Sequence, residues 1–109
     1  MALHLLGHIG LPAHVQPGGF DHAAIHERTG RLYVAHTAND AVDVIDCARA
    51  AFVRSIDGLP GVAGVLVSGE RELVFTSNRG EDAVGMFRPG AEDAVTRIPV
   101  GIRAHPCGR

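Results

Sequence analysis

The sequence predicts an all-β protein built from four-stranded antiparallel sheets, on two observations. Short runs rich in β-branched and aromatic residues alternate with clusters of turn residues along most of the chain. The pattern then recurs after 41 or 42 residues, a period typical of repeat architectures. No longer stretch shows a helical period, so we expect a helix content near zero.

Three segments recur in the same order, as Arg31–Ala35 and Glu72–Thr76, Asp40–Ile45 and Asp82–Phe87, and Val53–Ile56 and Val95–Ile98. The offset is 41 residues for the first pair and 42 for the other two. The difference of one residue falls between Leu32 and Asp40, within a predicted turn, where an insertion costs least.

Each repeat contains four expected strands. In the first repeat they lie near Ala23–His26, Leu32–His36, Ala41–Asp46 and Phe52–Ile56, and in the second near Gly64–Val67, Leu73–Ser77, Ala83–Phe87 and Val95–Val100. Glycine, asparagine, aspartate and proline between the strands supply the turns. Four short strands in about 40–45 residues are typical of a β-propeller blade. A β-sandwich also has strands at this spacing, but it gives no reason for the sequence to repeat.

The prediction is therefore a partial β-propeller with two blades. Residues 20–61 form blade one and residues 62–101 form blade two. Residues 1–19 are expected to supply the last strand of a preceding blade and a linker, and residues 102–109 the start of a third blade. We accordingly expect the chain to be a piece of a longer protein.

The segment Gly30–His36, followed by Ala41–Asp46, resembles the YVTN-type β-propeller repeat of lactonase-like and surface-layer-type proteins. That repeat has a strand of the form GrLYVan, a short polar loop and a strand of the form VsVID. The second copy keeps the first strand at Leu73–Asn78, but Phe87 and Arg88 replace the usual ID. The resemblance covers about residues 20–109 and implies that the first strand of each blade lies nearest a central channel.

Composition and charge narrow the classes of partner. The formal net charge is −2 and the signs are interspersed, so nucleic acid is not an expected partner. No apolar run approaches the ~18 residues of a membrane-spanning helix, and we expect no membrane partner. Cys47 and Cys107 form no close-spaced metal or redox motif, and the start of the chain does not resemble a signal peptide. These features predict a cytoplasmic protein.

Seven histidines are the main functional indication. In propeller topology, the loop entering the first strand of a blade and the loop joining strands two and three lie at the same face. This places a candidate ligand-binding set at the channel mouth: His22, His36, Asn39, Asn78, Arg79 and His105. Imidazoles can bind a ligand or carry a proton, and Arg79 offers forked donors to an anion. The alternative is that these residues bond turn backbone or, for Arg79, solvent. His4, His8, His14 and His26 are expected at the surface.

The resulting hypothesis is a binding or scaffold module for a small molecule or protein. A lactonase-like or other hydrolytic enzyme is the alternative, with its remaining active-site residues in blades absent from this chain. A third hypothesis is a purely structural interaction surface, which includes self-association through uncovered blade faces. No cofactor is expected, although a metal at the channel mouth stays open, and no known catalytic motif is present in the sequence.

Overall fold

The computed structural model describes residues 9–100, which contain two four-stranded antiparallel sheets. The first sheet contains β1 (Ala23–His26), β2 (Arg31–His36), β3 (Ala41–Asp46) and β4 (Ala51–Ile56). The second contains β5 (Val62–Ser68), β6 (Leu73–Asn78), β7 (Ala83–Arg88) and β8 (Ala91–Pro99). Within each sheet, every strand pairs with the next one along the chain. The prediction of an all-β chain with four-stranded antiparallel sheets is confirmed.

The clearest difference from the predicted strands is the start of β8, which begins at Ala91 rather than near Val95. Only Pro89 and Gly90 separate β7 from β8, and Arg88 pairs directly with Ala91. Gly90 has a φ of 89°, which glycine adopts without the steric cost of a side chain. The tight turn therefore allows pairing to start immediately after it.

Helical structure within residues 9–100 is limited to one 3-10 turn, Thr37–Asn39, between β2 and β3. Asp40 ends this turn with a φ of 50°, and its backbone N–H donates to the carbonyl of Thr37. The described part of the chain contains no helix long and apolar enough to cross a membrane.

The core lies between the two sheets. Tyr33 and Ala35 of β2 pair with Val44 and Val42 of β3, and cross-strand partners point to the same side of a sheet. The other buried apolar members are Ile56, Leu59, Val62, Val74 and Phe87. The rings of Tyr33 and Phe87 meet edge to face across the interface, with centroids 5.5 Å apart. One face of each sheet is thus buried against the other sheet.

The first strands of the two sheets lie next to each other, since β1 and β2 both pack against β5. The backbone N–H of His22, just before β1, donates to the carbonyl of Ala63 in β5 at 3.2 Å. The segments that enter β1 and β5 therefore meet at one end of the molecule.

At the opposite end, a polar cluster joins the β1–β2 turn to the β5–β6 turn. Glu72 accepts hydrogen bonds from Arg28 and from His26, whose Nε2 lies 3.0 Å from the carboxylate. His26 is only 1% exposed, and its Nδ1 lies 2.7 Å from Thr29 Oγ1. The expectation that His26 lies at the surface is wrong, because the second sheet covers this end of β1. The bond from Arg28, and next that from His26, lower the pKa of Glu72 to about 2.

This cluster predicts a loss of stability in acid. Because the pKa of Glu72 is lower in the folded state than its ordinary value of 4.5, its bonds stabilise the fold above that pH. The contribution is lost as the pH falls towards about 2. Glu72→Gln should flatten the acid limb of the stability profile, measured by denaturant unfolding at a series of pH values. Glu70→Gln, at an exposed position in the same turn, is the matched control. An unaltered acid limb in Glu72→Gln would contradict the assignment.

Candidate functional site

Several loops meet at the end of the sheets where β1 and β5 begin, and we call this end the loop edge. It comprises residues 18–22, 37–40, 57–61 and 79–82, together with the segment 13–15. Asp40 connects two of these loops, because its carbonyl accepts from Leu59 N–H at 2.8 Å and its carboxylate accepts from Gly61 N–H at 3.0 Å. The carbonyl of Gly61 in turn accepts from Arg79 N–H at 3.3 Å. These three hydrogen bonds therefore hold the loops of both sheets together.

His22 presents an accessible imidazole at this edge. Its side chain is 75% exposed, and its Nδ1 lies 2.7 Å from the carboxylate of Asp21. The backbone of His22 is bonded to both sheets. Its N–H donates to the carbonyl of Ala63 at 3.2 Å, and its carbonyl accepts from Ala35 N–H at 2.9 Å. A carboxylate accepts the proton on Nδ1, so neutral His22 offers Nε2 as a hydrogen-bond acceptor.

A recess of about 310 Å³ adjoins His22. Its lining includes His22, Gly64, Leu66, Phe75, Ser77 and Val84. The wall is therefore mainly apolar, and the hydroxyl of Ser77 is already engaged, since it accepts from Gly64 N–H at 2.8 Å. The recess can take a small apolar body beside the imidazole of His22.

His36 is fully buried at the end of β2 and belongs to a polar chain. Its Nδ1 lies 2.8 Å from one oxygen of the buried Asp43, and the other oxygen accepts from Ser55 Oγ at 2.7 Å. The carboxylate therefore fixes the proton of His36 on Nδ1 and leaves Nε2 facing outward. His14 Nδ1 lies 2.6 Å from that Nε2. The ring of Phe20 stacks on His36 with centroids 4.1 Å apart.

The side-chain amide of Asn39 binds the segment Ala13–Val15, which contains His14. Its Oδ1 accepts from the backbone N–H of Val15 at 2.7 Å, and its Nδ2 donates to the carbonyl of Ala13 at 3.0 Å. His36 and Asn39, two residues of the predicted set, are thus brought together around the segment Ala13–Val15.

The other predicted residues are placed differently. Asn78 is buried and bonded internally, because its Oδ1 accepts from Thr76 Oγ1 at 2.9 Å and its Nδ2 donates to Glu81 at 2.8 Å. Arg79 is exposed beside it. His105 lies outside the described residues, as do His4 and His8. Within residues 9–100, no group of three or more histidine, cysteine, aspartate or glutamate side chains is arranged to hold a metal ion.

Three members of this polar chain, Asp43, Ser55 and His14, were not among the predicted site residues. A signal was present for Asp43, since a charged residue between Val42 and Val44 in a buried strand requires a bonded partner. For His14 there was none, because its contact with His36 spans 22 residues and depends on the path of an irregular segment.

No family model matches the chain. It is similar to an uncharacterized protein of Staphylococcus saprophyticus, with 28% identity over 93 residues. The alignment covers 76% of this chain and 27% of that protein, so the chain spans about a quarter of the length of the curated relative it matches.

Proposed function

We propose that the two sheets are consecutive blades of a β-propeller of the YVTN type, and that the protein is a binding or scaffold module. Its small-ligand site would lie at the loop edge, which becomes the mouth of the central channel. The observation that carries the proposal is the meeting of exposed His22 with an apolar recess on the neighbouring sheet.

The blade arrangement is supported by the pairing of the sheets. The first strands, β1 and β5, are neighbours, as expected if both lie nearest one axis. The outer face of the second sheet is also apolar and uncovered, because Leu66 is 65% exposed and Ile98 is 42% exposed. Phe75, Val84 and Met86 share that face by strand register and are half-buried. A further blade would cover Leu66 and Phe75 and leave the His22 end of the recess open to the channel. Without one, this face would favour self-association.

The recess indicates the chemistry of the ligand. Its apolar wall suits a small ring or hydrocarbon, and His22 Nε2 suits a hydroxyl that donates a hydrogen bond. Asp21, bonded to the other nitrogen, disfavours an anionic group close by. We therefore propose a small apolar alcohol or phenol as the ligand class.

One observation favours the alternative of a hydrolytic, lactonase-like enzyme. Asp43 orients the imidazole of His36 as the carboxylate of a catalytic triad orients its histidine. However, His14 occupies the outer nitrogen of His36, and Ser55 bonds to Asp43 rather than to the imidazole. A nucleophile would have to come from another blade, so binding is the better-supported function.

The test is a titration of the isotopically labelled protein with phenol and 1-naphthol, followed by amide NMR shifts. Perturbations should centre on His22, Gly64 and Ser77. His22→Phe keeps the ring but removes the acceptor nitrogen, and should weaken binding about 2- to 10-fold. His14→Ala, outside the recess, should leave the affinity unchanged. Perturbations elsewhere, or equal affinity in His22→Phe, would refute the proposed site.

A further inference from the structure

The contacts of residues 13–15 have the form of peptide recognition. We infer that the notch between His36 and Asn39 is a recognition site for a peptide segment with a central histidine. In this chain the notch is occupied by its own segment Ala13–Val15. The inference rests on the proposed binding role of the loop edge, where the notch lies, but it uses different residues from the His22 recess.

Asn39 recognises the peptide backbone. Its amide accepts from the N–H of Val15 and donates to the carbonyl of Ala13, the two groups on either side of the central residue. A single residue of a neighbouring parallel β-strand makes the same two bonds, to the carbonyl before and the N–H after the residue that it faces. Recognition of this kind depends on the peptide backbone and not on the side chains of positions 13 and 15.

His36 recognises the central side chain. Because Asp43 holds the proton on Nδ1, the Nε2 of neutral His36 is an acceptor aimed at the notch, and His14 meets it at 2.6 Å. Phe20 completes the pocket, since its ring stacks on His36 and lies edge-on to His14 with centroids 5.3 Å apart. An alanine in the central position would leave the buried nitrogen of His36 without its partner, which should weaken binding about 10- to 100-fold.

A few directed hydrogen bonds to His36 and Asn39 hold the segment Ala13–Val15 in the notch. Val15 is 77% exposed, and Ala13, His14 and Gln16 are also exposed residues. The segment belongs to none of the described strands. Little apolar area therefore opposes its exchange for a second peptide of the same chemistry.

The test uses a fluorescent peptide, Leu-Pro-Ala-His-Val-Gln, which reproduces residues 11–16. In the wild-type protein the tethered segment competes at an effective concentration of about millimolar. His14→Ala weakens this competitor, so the peptide should bind that variant about 10- to 100-fold more tightly by fluorescence anisotropy. The same peptide with alanine in its central position should bind the variant at least about tenfold more weakly.

Two double variants locate the bound peptide. Adding Asn39→Asp to His14→Ala removes the donor to the peptide carbonyl at an exposed contact, and should weaken binding at least about fivefold. Adding His22→Phe should leave the peptide affinity unchanged although it weakens the binding of phenol, which separates failure of the notch from failure of the small-ligand site. Absence of binding to His14→Ala, equal binding of the two peptides, or indifference to Asn39→Asp would overturn the inference.

Discussion

Replacing Gly61 by alanine is expected to destabilise the protein by about 2–5 kcal/mol, from overpacking and positive-φ strain together. Gly61 has a φ of 64°, and a Cβ there would lie 2.5 Å from the backbone nitrogen of Gly80. The obstacle is backbone, so it cannot move aside as a flexible side chain would. The position is also the junction of the loop edge, bonded to Asp40 on one side and Arg79 on the other.

Gly30→Ala is the matched control for this prediction. Gly30 has a similar φ of 71°, but nothing lies within 4 Å of the position its Cβ would take. The free energy of unfolding of Gly30→Ala should therefore fall only by the cost of the positive φ, about 1–2 kcal/mol. The free energy of unfolding can be followed by the fluorescence of Tyr33, because the chain has one tyrosine and no tryptophan. Equal losses in the two variants would show that the close approach to Gly80 has no energetic weight.

Glu92→Ala should also have a large effect, about 3–5 kcal/mol, because it breaks a buried charged network that joins the two sheets. Glu92 is 3% exposed, and one carboxylate oxygen accepts from three groups. They are Tyr33 OH at 2.9 Å, Gly90 N–H at 2.7 Å and Arg31 Nη1 at 3.3 Å. Removing the acceptor leaves the Tyr33 hydroxyl, in the core, without a partner. Burial, together with the bond to Glu92, also raises the pKa of Tyr33.

The control is Asp93→Ala, an exposed neighbour on the same strand, which should change stability by less than about 0.5 kcal/mol. Combining Glu92→Ala with Tyr33→Phe should recover part of the loss, because the hydroxyl that lacks an acceptor is then absent. The free energy of unfolding of each variant is measured from its unfolding transition, followed by circular dichroism. Strictly additive losses would show that the Tyr33–Glu92 bond contributes little.

Strand positions were predictable because their signals are local. The expected strands at Ala23–His26 and Ala41–Asp46 agree with β1 and β3. Here β-branched residues stand between turns marked by Gly30, Asn39 and Asp40. The start of β8 was placed too late, because Ala91–Ala94 carries no strand-like alternation and owes its pairing to the turn before it.

The candidate site was predictable only in part. Topology alone brought His36 and Asn39 to the loop edge, because both lie between the second and third strands of one sheet. What these side chains contact depends on Asp43, on the paired strand β3, and on the irregular residues 13–15, which are distant in sequence. The burial of His26 was not predicted either, because its partner Glu72 is distant in sequence and belongs to the other sheet.

Within residues 9–100, the sequence by itself determined the eight strands, their order and their grouping into two four-stranded sheets, since periodicity and turn residues act over a few neighbouring positions. Only the tertiary structure decided which polar groups meet. The long-range bonds of Glu92, Glu72 and His36, to His14, His26 and Arg31 among others, span 22 to 61 residues and form once the sheets and the N-terminal segment are packed. Removing those groups from water without a partner is costly, so packing selects the pairs that satisfy them.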